Sequence, residues 1–515
     1  MKILVTGGSG VIGAAVIPEL LRAGHDVRLL SRGAEHDAHD YPSAVEPFPA
    51  DIGDPASLAG AATGCAAILH IAGIAHEEPP EITFEKVNVA GTRHLLAAAR
   101  QANLPRFIYL SSLGADRGES AYQKSKHRAE ELVRDYAGPW LILRPGAVYG
   151  PGDETISMLL KMVRTLPAVP VVAEGEQPFQ PLWYRDLGRA IVAAVNRPEL
   201  DRAVFELAGP DVTTTTDLIN RLARITGRTP PRLEIPAWLT HVGASALEAF
   251  GGLGSRLLEY SQVGTPITTS KLQMLLEGNV VQDESKNALV TTFGQPGISL
   301  QDGLEQLADL LPEMTPGHGV GALEACTYSG EIQDSSLTPA AVIDLVCARL
   351  GEIMPIDFGT EPGTHVNVRE GHTLTAALPV RGNIQIRVQE RKETHVTFVT
   401  LSGHPLAGVL TFAAEPAAGG VRFLVRTVTQ AANLLDWLSM QMGGGVLQAQ
   451  NWREVVRRVV VAAGGSPPVD VRRESRTLDQ TEARAVQEKT ERLVQERRRR
   501  EIDDELITTQ RDAGA

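Results

Sequence analysis

Short apolar runs alternate with amphipathic stretches through the first 150 residues. Runs at residues 3–5, 27–30, 67–71, 107–110 and 141–143 are almost wholly apolar, as strands buried on both faces are. Between them, residues 11–23, 89–102 and 125–135 carry apolar positions at helical spacing. Strands alternating with helices predict βαβ units, hence α/β architecture with a doubly wound parallel sheet and right-handed crossovers. The alternation continues less regularly to residue 312, with helices predicted over 186–196, 216–226 and 300–311 and a proline-punctuated stretch at 229–236. Residues 312–319, with two prolines and two glycines, read as a linker.

Beyond residue 320 the period changes. A helix is predicted over 337–350, then strand-like runs at 373–378, 384–389, 395–401, 407–413 and 421–428, then an amphipathic helix over 450–463. A meander with segregated helices is α+β, so 320–465 is expected to be a domain separate from 1–312. The remainder, 470–515, is charge-dense, with faint apolar marks near Leu478, Val486 and Leu493. Two readings stand: a solvated or partly disordered helix, or a helix that docks a partner or a second copy.

Composition narrows the class. The chain has 515 residues, 43% of them hydrophobic and 22% charged, so a largely disordered chain and a fibre are both excluded. No apolar run reaches the roughly 18 residues that span a bilayer. Met1 leads directly into the first strand without a signal-peptide pattern, and the three cysteines (Cys65, Cys326, Cys347) are widely spaced. A reducing cytoplasm is therefore the expected compartment, and no metal site is expected. The net charge of −13 speaks against nucleic acid as a partner.

Candidate chemistry starts at Thr6-Gly7-Gly8-Ser9-Gly10-Val11-Ile12-Gly13, between the first strand and the first helix. Gly7, Gly10 and Gly13 suit a tight turn, backbone approach to a pyrophosphate, and close helix–strand packing, with the helix N-terminus facing the phosphates. The second strand ends in Ser31-Arg32 rather than in a carboxylate. An arginine there fits a 2′-phosphate, so NADPH is expected in preference to NAD. Tyr122 and Lys126 lie four apart, on one face of a helix. With 8 Tyr and 9 Lys in the chain, chance supplies about 0.14 such pairs, and this is the only one. A nearby ammonium lowers a phenol's pKa, which makes Tyr122 a candidate acid/base; Ser112 is the candidate partner for the reacting oxygen, with Ser111 as its substitute.

These residues resemble the short-chain dehydrogenase/reductase superfamily. The glycine loop matches Thr-Gly-x-x-Gly-x-x-Gly; Asp51-Ile52 matches the pair that meets adenine; Ala72-Gly73 stands at the Asn-Ala-Gly stretch, with Ile71 in place of Asn. Asn88-Val89-Ala90-Gly91-Thr92 matches Asn-x-x-Gly-Thr, and Tyr122–Lys126 supplies Tyr-x-x-x-Lys. Arg144-Pro145-Gly146-Ala147-Val148-Tyr149-Gly150-Pro151-Gly152 is similar to the Arg-Pro…Tyr-Gly-Pro-Gly segment of extended, epimerase/dehydratase-like members. Residues 236–239, 268–272 and 279–280 point to the atypical branch of the 39-kDa-type accessory subunit of complex I. The resemblance implies cofactor contacts from Thr6, the glycine loop, Ser31, Arg32, Asp51, Ile52, Ala72, Gly73, Asn88, Lys126, Pro145 and Val148. The loop between Ser112 and Tyr122 is short for the superfamily, which disfavours a sugar-nucleotide substrate.

Two histidines, His70 and His76, flank Ala72-Gly73 and read as packing or surface residues. Trp183, Tyr184 and Arg185 either line the substrate cleft or pack the following helix. The 337–463 order of helix, strands and long helix resembles helix-grip ligand-binding domains of the START/SRPBCC type. These enclose an apolar cavity, and Trp437, Met440 and Met442 are its candidate lining here; the alternative is a filled core. The expected activity is an NAD(P)H-dependent oxidoreductase for a hydrophobic carbonyl or alcohol. The alternatives are a non-catalytic NADP-binding accessory protein, using the tail for protein partners or a homo-oligomer, and a sugar-nucleotide epimerase.

Overall fold

Seven strands make one all-parallel sheet: β1 (Lys2–Thr6), β2 (Asp26–Ser31), β3 (Val45–Pro49), β4 (Ala67–His70), β5 (Arg106–Leu110), β6 (Trp140–Pro145) and β7 (Ala203–Leu207), in the order β7-β6-β5-β4-β1-β2-β3. The computed structural model describes every residue except 43, 104–105, 173–174, 236–278, 334, 363–365, 379–381, 441–444, 466–468 and 514–515. Segments 236–239 and 268–272 thus lie outside the described residues.

Alternate side chains of each central strand enter different layers, which is why these strands are apolar throughout. Ile3, Val5, Ile108, Leu110, Leu141 and Leu143 meet helices α1 (Val11–Arg22) and Tyr184–Val195 on one face. Leu4, Phe107, Tyr109 and Ile142 meet Gly91–Gln101 and Ala121–Arg134 on the other. Strands β3 and β7 escaped the hydrophobic reading because they are the sheet's edges; β3 carries Pro47 and Pro49, which an edge tolerates. After α1 we number the helices α2 (Ala34–Ala38), α3 (Gly91–Gln101), α4 (Ala121–Arg134), α5 (Ile156–Thr165), α6 (Tyr184–Val195) and α7 (Thr215–Thr226). Helix α4 starts four residues before its expected position. Ser120 caps it by accepting from the Gln123 backbone N–H while the Gln123 side chain reaches back.

The second half is an antiparallel sheet of seven strands: β8 (Val320–Gln333), β9 (Thr373–Leu378), β10 (Gly382–Lys392), β11 (His395–Thr400), β12 (Leu406–Ala417), β13 (Gly420–Ala431) and β14 (Arg472–Thr477), in the order β9-β10-β11-β12-β13-β8-β14. β14 was unforeseen because all six of its residues are exposed and none is apolar. Helices Pro339–Ala348 and Gly445–Ala462 cover one face. Phe412 packs between sheet and long helix against Phe398, Phe423 and Trp452, with centroids 5.6, 6.0 and 6.2 Å away. These rings form the interior of the layer between sheet and helix. Trp437, 38% exposed, does not line it; Met440 is half-buried, and Met442 lies outside the described residues.

Buried charge joins the halves. Arg164 on α5, 1% exposed, makes a two-pronged pair with Glu361 (2.7 and 2.8 Å) and bonds Gln385 on β10 (2.8 Å). The 312–319 segment is packed rather than a free linker: Glu313 is buried and accepts from Arg387 on β10 at 2.7 Å. The tail forms β14 and the helix Gln480–Ala513; the helix was expected, and one side of it contacts its own chain. Arg497 bonds Glu313 (2.6 Å) and Gln389 (2.8 Å); Arg498 bonds Glu313 (2.6 Å) and Asp40 (3.4 Å). The docking face mixes Thr490, Val494, Gln495, Arg497 and Ile502, so apolar periodicity alone could not reveal it. No described helix is long and apolar enough to cross a membrane.

Candidate active site

The glycine loop joins β1 to α1 as a tight corner. Gly7 has φ +74°, and a Cβ there would lie 2.7 Å from the Ala72 backbone nitrogen; one on Gly13 would lie 2.4 Å from Gly8. On the side of Gly10 the nearest atom to such a Cβ is 3.6 Å away, so the corner is open there. No side chain caps α1 and its first turn holds no acid, which leaves its N–H groups for an anion. Val11 and Ile12 are half-buried in that turn. The cradle fits a dinucleotide's diphosphate. Gly13→Val is expected to abolish NAD(P)H binding and reduce folded yield, as read by calorimetry and circular dichroism, because the Gly8 backbone cannot give way.

Behind the corner runs a chain of buried hydrogen bonds. The Ala72 N–H donates to Thr6 Oγ1 (3.2 Å), Thr6 pairs with His70 Nδ1 (2.8 Å), and His70 Nε2 pairs with Thr92 Oγ1 (3.0 Å). The Thr92 proton goes to the Asn88 carbonyl (2.7 Å), so Thr92 accepts from His70 and His70 Nδ1 accepts from Thr6. Burial and then the Lys126 charge pull His70 down to about 3, keeping it neutral. Asn88 commits both amide N–H bonds, to Ile74 O (3.1 Å) and Ser125 Oγ (2.9 Å), and so ties the 72–74 loop to α4. Asp51 is exposed and accepts from Gly53, whereas the Ile52 side chain packs beneath Gly91. Pro145 ends β6, and Val148 is half-buried beside it.

Helix α4 presents Tyr122, Lys126 and Glu130 on successive turns. Tyr122 packs on Phe84 (centroids 6.0 Å apart), and the Ser112 hydroxyl is close enough to act on its phenol. Burial raises the Tyr122 pKa and Ser112 only partly opposes it, which corrects the expectation of a lowered phenol. Lys126 is buried, donates to Leu110 O at 2.7 Å, and is pulled by burial down to about 7, against the opposing charge of Glu130. Ser111 is not a substitute for Ser112: its hydroxyl donates to Glu130 at 2.6 Å. Glu130 is wholly buried and grips Arg144 through both oxygens (2.8 and 2.7 Å); Arg144 also reaches Asp116 at 2.6 Å in the short 113–121 loop. The sequence reading missed Glu130, although it stands four residues beyond Lys126 on the same face.

At the end of β2, Arg32 is exposed and Ser31 Oγ donates to Asp37 on α2 at 2.6 Å. Trp183 and Tyr184 are buried in a stack with Tyr149, and Arg185 bonds the Tyr184 hydroxyl, so this trio packs the helix. His76 sits between Glu78 and Glu154. Among the described residues, no group of three or more His, Cys, Asp or Glu could hold a metal.

A parallel sheet ordered 3-2-1-4-5-6-7, a side-chain-free corner at β1 and a Tyr-x-x-x-Lys helix define a dinucleotide-binding Rossmann protein. The model of the NAD dependent epimerase/dehydratase family matches residues 3–208. The ceramide reductase of Caulobacter vibrioides is 30% identical over 235 residues, 45% of this chain and 73% of the reductase. The mitochondrial NADH dehydrogenase (ubiquinone) 1 alpha subcomplex subunit 9 of Arabidopsis thaliana is 26% identical over 240 residues, 45% of this chain and 60% of that subunit. Among solved structures, the UDP-glucose 4-epimerase of Thermotoga maritima is 19% identical, with TM-score 0.46, over 60% of this chain and 97% of its own. The chain belongs to the NAD-dependent epimerase/dehydratase family.

Proposed function

We propose that the protein is an NADPH-dependent reductase of a hydrophobic carbonyl compound. The observation that carries the reading is the placement of Tyr122 on α4 one helical turn from the buried Lys126, whose Nζ is held by the Leu110 carbonyl at 2.7 Å. With its diphosphate at the glycine corner, a nicotinamide cofactor would supply the hydride. Tyr122 gives its proton to the carbonyl oxygen, and Ser112 orients that oxygen. A phenol kept protonated is the form of Tyr122 that can donate to the carbonyl oxygen during reduction. Lys126 holds its place through Leu110 and offers its remaining N–H bonds toward Gly73, where a Cβ would lie 3.6 Å from Nζ. The ceramide reductase relative supports an apolar substrate. Nicotinamide oxidation measured across a panel of long-chain and short carbonyl compounds tests the reading; cofactor binding without turnover on any of them overturns it.

The NADPH preference rests on Arg32. Its exposed guanidinium can meet a 2′-phosphate, while the carboxylate of Asp37, which accepts from Ser31, opposes one. Arg32→Ala is expected to weaken NADPH by about 10–100-fold and NADH less than threefold, read by fluorescence titration. Equal wild-type affinities for the two nucleotides would end the argument.

A further inference from the structure

Lys126 is buried in a place that gives it one hydrogen-bond acceptor, the Leu110 carbonyl, and one aromatic face. Its Nζ lies 4.5 Å from the centroid of Tyr109, one residue earlier on β5. Tyr109 is itself 1% exposed, and burial holds its phenol neutral, so the ring is an uncharged π surface. The ring is fixed by neighbours: His70 on β4 packs against it at 5.5 Å, and His70 is anchored at both nitrogens. The groups that face the ammonium are few. They are neutral His70 on β4, Tyr109 and Leu110 on β5, and Tyr122 and Glu130 on α4, with the charge of Glu130 already shared by Arg144 and Arg134.

We propose that Tyr109 is a positioning residue for Lys126: its ring face holds the ammonium as a cation in the cleft and aims it at Gly73. This goes beyond the motif, in which the lysine's support is not specified, and it rests on the proposed role of Lys126 in the reductase. The physical case is a compensation. An ammonium taken out of water loses its hydration, and a single carbonyl cannot restore it. The quadrupole of a desolvated aromatic face supplies a second attraction without consuming an N–H bond. Two of the three ammonium hydrogens are thereby left for other partners on the Gly73 side. A second amide or carboxylate in place of the ring would hold the cation equally well but would occupy those hydrogens. The same ring joins the catalytic helix to the phosphate corner, because the neighbour that fixes it, His70, is bonded to Thr6.

The test reads Lys126 directly. With ε-¹³C-lysine incorporated, the nine lysines give few resonances, and Lys126→Met identifies the one of interest. The full chain is titrated as wild type, as Tyr109→Phe and as Tyr109→Leu. The Phe protein keeps the ring and is expected to titrate as wild type. The Leu protein is expected to lose the cation about one pH unit earlier. Should Leu not fold, phenylalanines of increasing ring fluorination at position 109 remove π density at nearly constant shape, and the Lys126 midpoint should fall with each step. A midpoint that stays put across the fluorinated series overturns the proposal. NADPH affinity measured on the same samples should fall earlier with rising pH in the Leu protein. If no form of the protein binds nucleotide, the reductase reading fails while the lysine titration still decides the role of Tyr109.

Discussion

Turnover in Tyr122→Phe is expected to fall by about 10²–10⁴-fold with NADPH affinity unchanged. The substitution removes one oxygen from a half-buried ring that stays packed on Phe84, so the fold has little to lose. What disappears is the proton that must reach the carbonyl oxygen as hydride arrives at carbon. Water cannot replace it readily at a site whose burial raises the pKa of the phenol itself. Ser112→Ala, by comparison, leaves the donor in place and removes its orienting partner, so its effect should be smaller. Stopped-flow oxidation of NADPH with a saturating carbonyl substrate reads both. Equal loss of turnover and of NADPH affinity in Tyr122→Phe would show a structural residue rather than an acid. Undiminished turnover would remove Tyr122 from the chemistry.

The sequence exposes what local chemistry dictates. The apolar runs of β1, β2, β4, β5 and β6 are strand-like because both faces are covered, and the glycine corner is legible because no other residue fits beside Ala72 and Gly8. Tyr122 and Lys126 are legible because helical spacing makes them neighbours. What stayed hidden depends on partners that helical or strand spacing does not bring together. Ser31, expected beside Arg32 at the cofactor, donates its proton to Asp37. Ser111 stood as the substitute for Ser112, but its hydroxyl donates to Glu130. The amide hydrogens of Asn88 hold the 72–74 loop and α4 together, a role that the sequence did not show. The phenol of Tyr122 was expected to be lowered by Lys126, but burial dominates its surroundings. The tail was opaque for a different reason: its helix docks through arginines whose partners, Glu313 and Asp40, stand 184 and 458 positions away.

That docking leads to the second large effect. Glu313→Gln is expected to destabilise the protein by about 3–5 kcal/mol, because it leaves Arg387, Arg497 and Arg498 converging on a neutral amide in a buried site. Burial alone would raise the Glu313 pKa, but the charges of Arg387, Arg498 and Arg497 hold it well below the usual carboxylate range. A carboxyl depressed in the folded state stabilises fully above its unfolded pKa of about 4.3 and loses that contribution as pH falls through the lower folded value. Wild type should therefore lose tail protection only in strong acid, and Glu313→Gln should lose it at neutral pH. Hydrogen–deuterium exchange over residues 480–513 separates this local release from global unfolding. Because Arg498 also holds Asp40, just beyond α2 and the Ser31–Asp37 bond, release should speed exchange in residues 33–40 as well. Fast exchange in the tail of the wild type at pH 7 would show that the helix does not dock as described.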